Sequence, residues 1–400
     1  MAIGEGNRDF KVVPGVKLSS VSCGIKGDGI ADLVVFEFSE GTQSAGVFTQ
    51  SVFAAAPVEL GKKHLTKSAS RYFLINSGNA NAGVGKAGIS DALICCQSLS
   101  LLTGVRPEAV LPFSTGVIGE RLQVSNITGA LGEAVKNLSE DNWLLAAEGI
   151  MTTDTRPKIS SRQIILNDSV VTLTGIAKGA GMMQPNMATL LSYIATDADI
   201  DQAFLKTLLI NASEKSFNRI TVDSDTSTND SFMLSATGVS GVKIDQFNAS
   251  GFVEALESLS IELAHGIIRD AEGATKFIAV KVNGGECQED CLAIAYSIAN
   301  SPLMKTALFA SDANWGRIVM AIGKAGVDID INKLDVYIGD VQLLQNGQKH
   351  HGYKEDAGAE VVAKEEIQIS VCLHSGDYEE TVWTCDLSHE YVRINAEYRT

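Results

Sequence analysis

The stretch KGAGMMQPNMATLLSYIATDA, from Lys178 to Ala198, joins a glycine-rich segment to an apolar run. A turn is expected at Pro185-Asn186, where proline presets φ and asparagine bonds its own backbone. The chain then passes through Ala188-Thr189 into a predicted strand, Leu190 to Ile194. A threonine where a turn meets a buried strand can attack the carbonyl of its own preceding residue. The N-to-O acyl shift that results gives an ester that water cleaves, and it requires strained backbone, which glycines ahead of a turn permit. Cleavage leaves Thr189 with a free α-amine, whose ordinary pKa of about 7.7–8.0 makes it a base near neutral pH. Nucleophile and base then sit on one residue. The plain alternative is a structural threonine at a strand start.

Outward from this segment, both halves of the chain mix strands and helices. Leu33 to Phe38, Tyr72 to Asn76, Val170 to Leu173, Phe277 to Val282 and Ile367 to Leu373 are rich in β-branched or aromatic residues and bounded by polar ones. Gly88 to Leu102, Asp141 to Met151, Asp201 to Ser216 and Phe252 to Ile268 have helical periodicity, the last with Leu256, Leu259, Leu263 and Ile267 on one face. The class is therefore α/β or mixed α+β. A length of 400 residues suggests two lobes, expected on either side of Ala188-Thr189.

The net charge of −16 and the lack of any Lys/Arg-rich run argue against nucleic acid and anionic membrane surfaces as partners. No segment reaches the roughly 18 apolar residues of a membrane span, and the first residues carry no secretory pattern, so a cytoplasmic place is expected. The seven cysteines are an odd number, and adjacent Cys95-Cys96 suits a buried helix better than a disulfide framework. Cys287 and Cys291 lack a second Cys/His pair at zinc-finger spacing, and no metal is expected. Gly83 to Gly88 lacks the spacing of a phosphate loop, and no nucleophile elbow is present.

The central stretch resembles the self-processing motif of the ornithine acetyltransferase family, the bifunctional glutamate N-acetyltransferases. That signature runs Lys-Gly-x-Gly-Met-x-x-Pro-Asn-Met-Ala-Thr, and every fixed position is present; Ala180 stands where serine is frequent. Further similar segments are NSGNANAG (Asn76 to Gly83), STGVIGE (Ser114 to Glu120), TTDTRPK (Thr152 to Lys158), SDTSTNDS (Ser224 to Ser231), EGATKF (Glu272 to Phe277), NWGRI (Asn314 to Ile318) and the end from Asn395 to Thr400. The resemblance thus covers nearly the whole chain. One departure is Val222-Asp223-Ser224, where the family pattern calls for a glycine nearer Asp225.

The resemblance implies a two-lobed fold with layered sheets and helices and the nucleophile at a strand end. It implies cleavage into an α fragment, 1–188, and a β fragment, 189–400, assembled as α2β2. By resemblance Thr189 is the nucleophile, and the Thr115 hydroxyl and Gly116 amide form an oxyanion hole, one donor of which is worth about 3–4 kcal/mol. Read as residues alone, Ser114-Thr115-Gly116 is a plain turn. By resemblance, too, Thr152, Lys178, Glu272, Asn395 and Thr400 contact substrate. Lys178 suits a carboxylate and Glu272 an amine, although a solvated lysine and a helix-end carboxylate are the ordinary readings. The SDTSTNDS run is assigned a supporting structural role near the site. The implied reaction moves acetyl from N2-acetyl-ornithine to glutamate through an acetyl-threonine, as in the cyclic route of arginine biosynthesis. It needs no bound cofactor, and acetyl-CoA is a second donor if the enzyme is bifunctional. Two other readings share these residues: a self-processed amidase or aminopeptidase with water as acceptor, and a scaffold without activity.

Overall fold

The computed structural model describes residues 2–166, 168–184 and 190–397. Two compact units are present. One comprises Gly6–Asn218 with Asp225–Ile267; the other comprises Met1–Glu5, Arg219–Ser224 and Ile268–Thr400.

The first unit is built on two facing sheets. One is ordered β1 (Val16–Val21), β2 (Leu33–Phe38), β4 (Tyr72–Asn79), β5 (Val110–Val117). The other is ordered β3 (Gln43–Phe48), β10 (Ser231–Ala236), β8 (Leu191–Thr196), β7 (Ser169–Lys178), β6 (Lys158–Leu166). The period-two side-chain alternation of strands explains how each sheet buries both faces. In β2, Val34, Phe36 and Phe38 point into the space between the sheets, where they meet Tyr193 and Met233. Leu33 and Val35 point the other way, onto α2 (Lys86–Thr103) and α3 (Val124–Lys136), a layer completed by α1 (Ala56–Lys67). Cys95 and Cys96 are buried on α2, as their adjacency suggested. Between the sheets Phe36, Phe73, Phe113 and Tyr193 form a ring cluster with centroids 5.1–5.9 Å apart, and α4 (Trp143–Gly149) closes it with Trp143 edge-on to Phe36. The outer face of the second sheet carries α6 (Ser250–Arg269). A Cβ at Gly175 would come within 3.0 Å of Leu259, so glycine there admits the helix. Helix α5 (Gln202–Lys215) begins at Asp201, whose carboxylate accepts from the Ala203 amide, and packs on the same sheet. The layers run helix, sheet, sheet, helix. A short parallel pair, β9 (Asp199–Ile200) and β11 (Lys243–Ile244), lies beside them.

The second unit has a six-stranded sheet. Its order is β15 (Gln348–Lys349), β14 (Val341–Gln345), β13 (Asp335–Ile338), β16 (Glu366–Cys372), β12 (Phe277–Gly285), β17 (Tyr378–Cys385). Helices α7 (Gln288–Ala299), α8 (Pro302–Phe309), α9 (Trp315–Gly323) and α10 (Glu355–Val362) pack on it around Val280, Ile294, Ile318 and Ile369. Helix α11 (His389–Ala396) follows β17.

The expected strands and helices are all present with bounds shifted by a few residues. The strand expected from Leu190 starts at Leu191, because the Leu190 amide donates to the Asp230 side chain rather than to a neighbouring strand. One expectation is corrected. The compact units do not divide at Ala188-Thr189: β8 pairs with β7 on one side and with β10 on the other, so strands from both sides of that bond share one ladder.

Ser224, at the departure from the family pattern, has φ of +66°. That left-handed backbone is costly for a residue with a Cβ and free for glycine. Ser224→Gly is expected to raise stability by about 0.5–1 kcal/mol, read as a higher urea midpoint; a lower midpoint would contradict the strain.

Candidate active site

The site is built at the ends of β5, β7 and β8. Parallel pairing of β4 with β5 sets Ser77 beside Thr115 and Gly78 beside Gly116. Gly116 has φ of +133°, and a Cβ there would lie 2.2 Å from the Gly78 carbonyl carbon, so no other residue fits. A Cβ on Gly78 would strike Ile25 and Lys26 at 2.8 and 2.9 Å. The Ser-Thr-Gly segment is therefore strand rather than free turn, pressed against its neighbour by two glycines. Ser114 is tied on both sides: its hydroxyl donates to Asn76 Oδ1 at 2.6 Å and its carbonyl accepts from Asn229 Nδ2 at 2.9 Å.

Lys178 ends β7 and is 3% exposed, not the solvated lysine that its residue type suggests. Its ammonium donates to Thr115 Oγ1 at 2.9 Å. A hydroxyl whose oxygen accepts from an ammonium keeps its own hydrogen to donate, and polarisation strengthens that donor. Lys178 thus acts on Thr115, a contact between residues 63 apart in sequence.

Asp154 holds this arrangement. Its Oδ1 accepts from the Gly179 amide at 2.8 Å and from the Lys158 ammonium, and its Oδ2 accepts from the Thr152 amide at 3.0 Å. The carboxylate thereby fixes the backbone of two expected site residues, Thr152 and Lys178, at once. Burial alone would push its pKa up, but the charges of Lys158 and Lys178 and the donated hydrogen bonds hold it well below the ordinary carboxylate value. Half-buried Lys26 donates to the Met151 carbonyl at 2.8 Å. Burial lowers its pKa, opposed by Asp32 and Asp154 and reinforced by Lys178. The Lys178 ammonium is the positive charge held directly against Thr115. It can stabilise a developing oxyanion or receive a carboxylate.

Glu272 and Asn395 lie in the other unit and meet there. Asn395 Nδ2 donates to Glu272 Oε2 at 2.8 Å and to the Tyr391 carbonyl at 3.0 Å. Glu272 is 9% exposed, in a turn clamped to α11 by the Ser388 hydroxyl on the Gly273 carbonyl at 2.6 Å. A carboxylate so placed suits an amine. Ala188, Thr189 and Thr400 lie outside the described residues, as does the expected Pro185-Asn186 turn. Sequence reasoning assigned no role to Lys26, Asp154 or Lys158, although the last two fall inside the quoted TTDTRPK segment. Asn229 and Asp230 fall inside the run assigned a supporting role, and this is what they provide.

A glycine-pinned Ser-Thr-Gly strand end with an ammonium on its threonine presents hydrogen-bond donors of the kind acyl-transfer enzymes aim at an oxyanion. The chain belongs to the ArgJ family, whose model matches residues 17–400. It is 52% identical, over the full length of both chains, to an arginine biosynthesis bifunctional protein ArgJ of Pseudomonas syringae pv. tomato. The crystal structure of arginine biosynthesis bifunctional protein ArgJ from Bacillus halodurans is 38% identical with a TM-score of 0.50, covering 52% of this chain and 98% of that one. Ornithine acetyltransferase complexed with ornithine from Mycobacterium tuberculosis is 31% identical with a TM-score of 0.41, covering 46% of this chain and 98% of that one.

Asp154 supplies a pH test. Because its folded pKa is depressed, the stability it contributes is fully present above the unfolded value near 3.8 and drains away as pH falls through the lower folded value. Asp154→Asn, which strands the Lys158 charge, is expected to cost about 3–5 kcal/mol at neutral pH. In urea titrations the gap to wild type should hold down to about pH 4 and shrink below it; a gap that widens in acid would contradict the assignment.

Proposed function

We propose that this chain is a self-processing glutamate N-acetyltransferase that carries acetyl from N2-acetyl-ornithine to glutamate on Thr189. The observation that carries the reading is the Lys178 ammonium on the Thr115 hydroxyl beside Gly116, at the point where Lys178 pairs with the first residue of β8. The Thr189 hydroxyl attacks the acetyl carbonyl while its α-amine takes the hydroxyl proton. Thr115 and Gly116 donate to the oxyanion. The acetyl–nitrogen bond breaks, ornithine leaves with a proton, and an acetyl-Thr189 ester remains. The glutamate amine then attacks that ester and leaves as N-acetylglutamate. Thr152, Lys178, Glu272, Asn395 and Thr400 are the proposed substrate contacts. The Lys178 ammonium favours a substrate carboxylate, and buried Glu272 an amine.

Membership of the ArgJ family supports arginine biosynthesis as the setting. A cut between Ala188 and Thr189, giving fragments 1–188 and 189–400, is supported by the Bacillus halodurans chain, which is matched almost throughout by about half of this one. An α2β2 assembly and a cytoplasmic place complete the reading. The relatives' bifunctional names support a second activity, for which acetyl-CoA is the proposed donor.

Intact mass tests the cut, and product analysis tests the transfer. Wild type is expected as two fragments and Thr189→Ala as one chain. Acetyl from N2-acetyl-ornithine should appear on glutamate, with parallel double-reciprocal lines. Release as free acetate at the same rate, whether or not glutamate is present, would instead establish an amidase.

A further inference from the structure

Lys26 is carried by a loop that Asp32 fixes against β4. The Asp32 carboxylate accepts the amides of Cys23, Ile25 and Lys26 at 2.5, 2.6 and 2.9 Å, and the Asp32 carbonyl accepts the Ser77 amide at 2.9 Å. One residue thus ties the loop to the strand one position before Gly78. The Lys26 stem then crosses that glycine. A Cβ on Gly78 would lie 2.9 Å from Lys26 Cγ, and Gly78 is the ladder partner of Gly116. The Lys26 ammonium ends on the Met151 carbonyl at 2.8 Å, one residue before Thr152. The same strand holds that turn, because the Ser77 hydroxyl donates to the Gly149 carbonyl at 2.6 Å. An ammonium has three N–H donors. Among the described residues the Met151 carbonyl is its one hydrogen-bond acceptor, and it forms no ion pair with a carboxylate. Half-buried Lys26 therefore presents a cation with open donors between the oxyanion strand and Thr152.

We propose that Lys26 binds the α-carboxylate common to N2-acetyl-ornithine and glutamate, and so makes the enzyme selective for amines that carry one. This rests on the reading of the chain as the acetyltransferase of those two substrates. In both, the carboxylate sits on the carbon that bears the reacting nitrogen. Its carbon is three bonds from the acetyl carbon and so within about 4 Å of it. With the acetyl oxygen on Thr115 and Gly116, the carboxylate must fall beside the oxyanion strand. Lys178 has a donor on Thr115 Oγ1 there. Lys26, lying across Gly78, adds a second cation whose open donors can take the carboxylate in charge-assisted hydrogen bonds. Donor and acceptor have the same connectivity from acetyl carbon to carboxylate, so one contact serves both half-reactions.

The test compares N2-acetyl-ornithine with N-acetylputrescine, the same molecule without its α-carboxylate. The variant is Lys26→Gln, which keeps a donor for the Met151 carbonyl and removes the charge. For N2-acetyl-ornithine its kcat/KM is expected to fall about 10–100-fold, carried by KM, as for loss of a hydrogen bond to a charged group. For N-acetylputrescine it should stay at the wild-type value, so the preference for the carboxylated donor shrinks by the same factor. Lys26→Arg, which keeps a cation, should retain most of that preference. Where N-acetylputrescine turns over too slowly to follow, competitive inhibition by ornithine against putrescine gives the same ratio. A Lys26→Gln enzyme with the wild-type preference would overturn the proposal. An equal loss for both donors would also overturn it, because it would make Lys26 a strut for the Met151 turn. Failure of wild type to move acetyl from N2-acetyl-ornithine to glutamate would overturn the underlying reading instead.

Discussion

Everything at this site depends on one buried carboxylate. Asp154 is enclosed with Lys158 and takes hydrogen bonds from the amides of Thr152 and Gly179. A lone buried charge would cost several kcal/mol, and a buried pair is favourable only when its remaining valences are met, as they are here. The consequence is geometric. Gly179 follows Lys178, so pinning its amide pins the end of β7, and the Lys178 ammonium can reach Thr115 only from there. An electrostatic debt incurred by burial is discharged as positional accuracy at a strand end.

The layers around this point explain why it is dry. Phe36, Phe73, Phe113 and Tyr193 fill the space between the sheets, so ammonium and hydroxyl interact at low dielectric, where hydrogen bonds to charged groups are strong. The second sheet also bears on processing. β7 precedes residue 188 and β8 and β10 follow it, and the three are joined by ladder bonds. A chain cut between Ala188 and Thr189 keeps those bonds and its core, so the two pieces need no linker to remain together.

Much of this was legible in the sequence. Local alternation and periodicity located the strands and helices, and the motif around Lys178 marked where chemistry belongs. The family resemblance, rather than the residues alone, points to Thr115, Gly116, Thr152 and Lys178, which the structure gathers in one unit, and to Glu272 and Asn395, which meet in the other. What was not legible is nonlocal. Nothing in the sequence around Lys178 says that its partner is Thr115, or that strands on both sides of Ala188-Thr189 interleave. Burial was equally hidden. Asp230 reads as one more polar residue of an Asx-rich run, and only the folded chain shows it buried with the Leu190 amide on its carboxylate.

The measurement that bears most directly on the account is the intact mass of enzyme quenched after mixing with N2-acetyl-ornithine alone, followed by peptide mapping. The account predicts that a fragment beginning at Thr189 becomes heavier by one acetyl group, on Thr189 itself. It also predicts that the added mass disappears when glutamate follows. Turnover by a chain that remains uncut, or an acetyl group carried on any other residue, would contradict it.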